Sequence, residues 1–185
     1  MLARSVILKR RRSYEKKYVL VFNASTIIVL RELGRIDLID GIRRLGLAKI
    51  VVPQAVKDEF AMSGTRIGIH SNDVAVSPDE VDIHSIDAPQ SLGEGERQAI
   101  AIAYAISRSQ SGSIAMVVTD DLRARKTCRR IGVRVVGTLG LIEFAKKHGI
   151  IAKEEALNLL ERIPSTSLYV THEILEEARN KITLQ

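Results

Sequence analysis

The sequence predicts an α/β protein, a three-layer α/β/α arrangement with a mainly parallel central sheet and a helical C-terminal extension. Three observations predict it. Four short apolar runs, Tyr18 to Phe22, Lys49 to Val52, Ile114 to Thr119 and Val133 to Val136, are rich in β-branched residues and read as strands buried on both faces. Segments with helical apolar spacing separate them, which implies right-handed crossovers and a sheet covered on both sides. The chain has 185 residues, 45% apolar and 27% charged. That composition is too apolar for a disordered chain, and the length suffices to remove roughly 70% of the unfolded surface from water.

Along the chain, Tyr18 to Phe22 ends at Asn23-Ala24-Ser25, whose polar side chains suit the cap of a helix starting near Thr26. Ile36, Ile39, Ile42 and Leu45 recur at helical spacing up to Gly46, and Lys49 to Val52 follows as a strand. Pro53 suits the first position of a helix over Gln54 to Met62. Ser63 to Ser91 is the least regular segment; Val74, Val76, Val81, Ile83 and Ile86 alternate there and suggest one or two short strands. A helix opens near Gly93 and runs to about Arg108. After Ile114 to Thr119, Asp120-Asp121 opens a basic helix that ends at Gly132. After the fourth strand, Thr138 is expected to cap a helix reaching His148-Gly149. Two more helices, Ala152 to Arg162 and His172 to about Ile182, flank a turn at Pro164. Ile174, Leu175 and Ala178 form a stripe on the last one, expected to pack on the core. No repeat or low-complexity linker divides the chain, so residues 1–17 read as a basic tail and 18–185 as a single domain, with 152–185 as its extension.

No apolar run reaches the roughly 20 residues that span a bilayer, and the N-terminus lacks the pattern of a secretory signal. One cysteine, Cys128, excludes an internal disulfide framework and a multi-cysteine zinc site. A reducing, cytoplasmic location is the simple expectation. With 28 Lys and Arg against 22 Asp and Glu the net charge is +6 and the pI near 9.6, which favours a polyanionic partner, nucleic acid first. The charge is concentrated in the tail (Arg4, Lys9, Arg10, Arg11, Arg12, Lys16, Lys17) and in Arg123, Arg125, Lys126, Arg129, Arg130 and Arg134. A solvated helix face plus a frayed tail accounts for the same pattern. Aromatic residues are only 4%, so backbone contacts would dominate over base stacking.

In open parallel sheets, ligands bind beyond the carboxyl ends of the strands. Asn23 and Ser25 follow the first strand, and Thr119, Asp120 and Asp121 follow or end the third. Glu59 lies two turns into the helix after the second strand, and Glu94 and Glu96 open the Gly93 helix. Acids converging from separate segments repel unless a cation neutralises them. Oxygen ligands with few histidines suit Mg²⁺ or Mn²⁺ rather than zinc. Singly, each has a plainer role: Asp120 or Asp121 as a helix cap, Glu94 or Glu96 as a first-turn acid, Glu59 as a solvated side chain.

Four stretches taken together carry a resemblance. VLVFNASTIIVL (Val19 to Leu30), VVPQAVKDEF (Val51 to Phe60), LGEGERQAIAIA (Leu92 to Ala103) and VVTDDLRARKTCRRIGVRVVGTLGLIEFAKKHGII (Val117 to Ile151) resemble the PIN-domain family, a metal-dependent ribonuclease fold that includes VapC-type toxins. No single motif is specific; four in order, over Tyr18 to Glu177, are. The resemblance implies hydrolysis of RNA phosphodiesters by water activated on Mg²⁺ or Mn²⁺. It places the family's acids on Asn23, Glu59, Glu96 and Asp121 or Asp120, with Ser25 and Thr119 as supporting hydroxyls. It leaves Arg123, Arg125, Lys126, Arg129 and Arg130 to hold the RNA backbone. It also implies a small antitoxin protein as partner and a homodimer.

The sequence departs from the family at Asn23, where an aspartate is expected. An amide oxygen coordinates a cation without charge and cannot act as a base. Two readings stand: a ribonuclease with a softened metal site, or a catalytically silent module that binds RNA or a protein. A nucleotide-binding domain is disfavoured, because no glycine-rich turn follows Phe22.

Overall fold

A computed structural model describes residues 18–46, 48–64, 86, 89–109 and 112–184. The basic tail and the alternating valines between Val74 and Ile83 lie outside these residues. Four strands, β1 (Tyr18–Phe22), β2 (Ala48–Val51), β3 (Ile114–Val118) and β4 (Arg134–Val136), form one sheet in the order β2-β1-β3-β4. All three pairings are parallel.

Alternation within the central strands explains why both faces are covered. Leu20 and Phe22 of β1 and Val118 of β3 enter one core, whereas Val19, Val21, Ala115 and Val117 enter the other. The first core is closed by α1 (Ala24–Glu32), α2 (Asp37–Arg44), α3 (Gln54–Met62), α6 (Thr138–Lys147), α7 (Lys153–Arg162) and α8 (His172–Leu184). The second is closed by α4 (Glu94–Arg108) and α5 (Leu122–Arg130). The result is the three-layer α/β/α architecture. In α4 every residue from Gln98 to Ala103 is buried, because this helix meets the sheet, α3 and α5 on different sides.

Most elements fall where the sequence puts them, with β3 ending one residue early at Val118, β4 starting one residue late at Arg134 and α1 opening at Ala24; three further details differ. β2 begins at Ala48 and ends before Val52; Val52 is buried in the connection to α3. Thr138 does not cap α6. It is the first helical residue, and its amide and hydroxyl both donate to Asp120 from another segment. On α8 the buried residues are Ala178 and Ile182, while Ile174 is 46% exposed.

The C-terminal extension is fastened to the core by more than apolar contact. A 3-10 turn at Ile163–Ser165 ends α7, and Arg162 donates to the carbonyl of Leu33 at 2.8 Å. Ser167 donates its amide and hydroxyl to the Glu32 carboxylate at 2.8 and 2.9 Å. Arg35 bridges Asp37 and Glu155. No helix among the described residues is long and apolar enough to cross a membrane.

If α8 is part of the core, Ile182→Ala should destabilise the protein by about 2–4 kcal/mol in urea unfolding, because it empties a closed site. Ile174→Ala, on the open side of the same helix, should stay within about 0.5 kcal/mol.

Candidate active site

The strand order reverses between β1 and β3: the chain passes from β1 to β2 on one side, then returns to β3 on the other. A crevice opens at such a switch point beyond the carboxyl ends. Asn23 leaves β1 there and Thr119 leaves β3. The Asn23 amide N–H extends the ladder to the Val118 carbonyl at 2.9 Å, so both residues inherit the rigidity of the sheet.

Asn23 is nearly fully buried and caps α1, its Oδ1 accepting from the Ala24 amide at 2.8 Å. That bond fixes the orientation of the side chain, since the reverse would face two donors. Its Nδ2 then donates to Thr119 Oγ1 at 3.1 Å and to Glu96 Oε1 at 3.3 Å. Thr119 also contacts the Ser25 hydroxyl at 3.2 Å and accepts from the Asp121 amide at 3.2 Å.

Glu59 reaches the same place from α3. A Cβ added to Gly95 would stand 2.9 Å from Glu59 Oε1 and 3.5 Å from Asn23 Oδ1. The Gly95 N–H bonds the Glu59 carboxylate. Burial, and next the charge of Glu96, push the Glu59 carboxyl above its ordinary value, with the Gly95 bond opposing. Glu96 thus stands near enough for its charge to act on Glu59.

The adjacent aspartates do different things. Asp121 caps α5 through Oδ1, which accepts from the Ala124 amide at 2.7 Å, and it lines a cleft of about 440 Å³ together with Glu96, Ser25 and Arg123. Asp120 turns towards α6: Oδ1 accepts from the Thr138 amide at 2.8 Å, and Oδ2 accepts from the hydroxyls of Thr26 (2.9 Å) and Thr138 (2.5 Å). Its own amide donates to Ser25 Oγ at 3.0 Å. Gly137 makes room for it, since a Cβ there would lie 2.5 Å from Asp120 Oδ1 and 2.7 Å from Arg125 Nη1.

The basic helix divides along its period. Arg123, Lys126 and Arg130, at i, i+3 and i+7, line one hollow with Pro89 and Ser91, and Arg123 continues into the cleft. Arg125 and Arg129 face a groove towards α6 and α8; Arg125 donates to the Thr119 carbonyl at 3.1 Å. Cys128 is buried, which pushes its thiol up to about 12, and it has no nucleophilic role.

Carboxylate and amide oxygens are the donor types a hard divalent cation takes, so Glu59, Glu96 and Asn23 fit one in kind. They fall short in number: among the described residues no three Asp, Glu, His or Cys side chains stand close enough to hold an ion. An aspartate at position 23 would add a third carboxylate. The sequence reading missed Thr26, Gly95, Gly137 and Thr138. Gly137 and Thr138 were within reach of it, because they follow the carboxyl end of β4 as Asp120 follows that of β3.

Asp120→Ala should destabilise the fold by about 2–4 kcal/mol in denaturant, since it strands a helix-end amide and leaves Thr26 and Thr138 without their acceptor. Glu59→Gln should do the opposite at neutral pH. An acid with a higher pKa folded than unfolded takes up a proton on folding. Stability therefore falls as pH rises from the ordinary 4.5 through the raised folded value, and the penalty is complete above it. The variant should be more stable than wild type at neutral pH, with the difference vanishing near about pH 4; unfolding curves at both values test this.

No curated protein and no solved structure is significantly similar to the chain. A sequence profile described as PIN domain matches residues 19–183. The match begins in β1 and ends within α8, so it takes in all four strands and every side chain of the cleft described above. The chain therefore belongs to the PIN-domain family, a nuclease-like fold whose members generally bind nucleic acid and use divalent metals.

Proposed function

We propose that the protein is a Mg²⁺- or Mn²⁺-dependent ribonuclease of PIN type with a softened metal site. The observation that carries this reading is the Glu59–Glu96 pair, two acids brought together at the switch point with Asn23 Oδ1 beside them. Building such a pair costs stability, and a cation offsets that cost. Glu59, Glu96 and Asn23 would hold the ion, with Asp121 across the cleft. Bound there, it would supply an activated water and offset charge on the phosphate.

The remaining groups of the chain bind and orient. Arg123, Lys126 and Arg130 present cations along the face of α5 that leads into the cleft, suited to successive phosphates of a single strand. Ser25 and Thr119 fix the turn that carries Asp121. A small antitoxin protein and a second copy of the chain join this proposal through the family resemblance alone.

The second reading, a silent module that binds RNA or a protein, is favoured by one specific observation. The Asn23 amide donates to Glu96 Oε1, and so supports that acid with no ion present.

Calorimetry with Mn²⁺ on wild type and Asn23→Asp, with cleavage of single-stranded RNA assayed alongside, separates the two. For a working nuclease the wild type binds Mn²⁺, Asn23→Asp binds about tenfold tighter or more, and Glu96→Gln or chelator lowers cleavage by at least about 100-fold. Metal binding and cleavage only in Asn23→Asp would establish the silent module. Cleavage that survives both chelator and Glu96→Gln would sink the metal mechanism.

A further inference from the structure

The segment between the 3-10 turn and α8 carries Tyr169, 86% exposed, beside Leu122 at 68%. Among the described residues Tyr169 is the one Phe or Tyr ring on the open surface. Its position is set by its neighbours. The backbone from Leu168 to Thr171 is outside any helix, and Leu168 and Val170 are half-buried against the core while Tyr169 between them is exposed. Just upstream the segment is pinned to α1 through Ser167 and Glu32, and Leu168 donates to Thr166 Oγ1 at 3.2 Å. The ring is therefore presented outward by an anchored segment.

It stands between the cleft and the groove towards α6 and α8, lining both. On the cleft side Tyr169, Leu122 and Ile28 are part of a wall that also carries Glu96, Asp120, Asp121 and Arg123. We propose that Tyr169, flanked by Leu122, is a stacking platform for one unpaired nucleobase of a single-stranded RNA whose backbone lies along Arg123 and Lys126. This rests on the ribonuclease reading and deepens it, because it names the residue that would contact a base. Two features select a base over a protein side chain as the occupant. The ring is next to a cation that attracts phosphate, Arg123, and it is exposed on a chain with few other aromatics. Stacking on an aromatic ring tolerates any base, since every base has a π-face.

The test is fluorescence anisotropy of labelled 12-nucleotide oligouridylate and oligoadenylate, with chelator present so that nothing is cut, on wild type, Tyr169→Ala, Tyr169→Phe and an Arg123→Ala/Lys126→Ala double variant. Removing a base-stacking ring lowers affinity roughly 5- to 150-fold. Tyr169→Ala should weaken binding about tenfold with the salt slope unchanged, and Tyr169→Phe should bind like wild type. The double variant should instead lower the slope, because phosphate contacts carry the salt dependence. Equal affinity of Tyr169→Ala and wild type overturns the platform and leaves the ribonuclease reading standing. So does a Tyr169→Ala that changes only the size of the protein in gel filtration, which would assign the ring to a second copy. No RNA binding by wild type at low salt overturns the platform, and no cleavage of the same oligonucleotides with Mn²⁺ overturns the ribonuclease reading as well.

Discussion

The side-chain amide of Asn23 is the junction on which the site depends. It lies where β1 and β3 part company, almost wholly buried, and it joins three elements: the start of α1 through Oδ1, and Thr119 and Glu96 through Nδ2. A buried amide with all these groups in place must satisfy each donor and acceptor, since an unmet one costs about 1–3 kcal/mol. Its geometry therefore dictates where Glu96 stands, and Glu96 in turn sets the field felt by Glu59. A carboxylate at position 23 would cap α1 equally well, but would offer Glu96 repulsion instead of a donor. The amide and a bound cation are thus alternative solutions to one electrostatic problem: the partial positive end of the amide supports one acid, whereas an ion would support several.

Asp120 and Asp121 show how adjacent, chemically identical residues are separated by their partners. Both line the cleft as the chain leaves β3 and enters α5, yet their oxygens are engaged differently. Asp120 falls on the side of α1 and α6, where three donors surround its oxygens. Asp121 gives one oxygen to the cap of α5. Ser25 serves both, touching Thr119 and accepting from the Asp120 amide. Bracing the turn through Asp120 is what gives Asp121 a fixed place.

Much of this was legible in the sequence because burial leaves a compositional record. β1 and β3 are continuous apolar runs, and the bounds of α3 follow from Pro53 at its head and the break after Met62. The convergence of Asn23, Glu59 and Glu96 follows from one topological rule, that parallel strands end on the same edge. What stayed hidden depends on direction within a turn and on contacts between distant segments. No local pattern says that Thr138 takes its cap from Asp120, eighteen residues earlier, or that Glu59 closes on Gly95. Helical phase explains the division of the basic cluster, but which face of α5 meets the cleft emerges only once α5 is docked against α4 and β4.

The C-terminal extension shows why the site cannot be assigned to the strand ends alone. Leu168 and Val170 pack on the core between α7 and α8, and that packing depends on Arg162 reaching Leu33 and on Glu32 holding Ser167. Both of those contacts fall on the C-terminal end of α1, whose N-terminal end is capped by Asn23. A single helix thus connects the amide at the acid pair with the segment that forms the opposite wall of the cleft. α1 spans only nine residues, Ala24–Glu32, about 13 Å by its rise per residue. Over that length a helix fastened at both ends transmits position faithfully, so α1 fixes the Ser167 segment relative to Asn23.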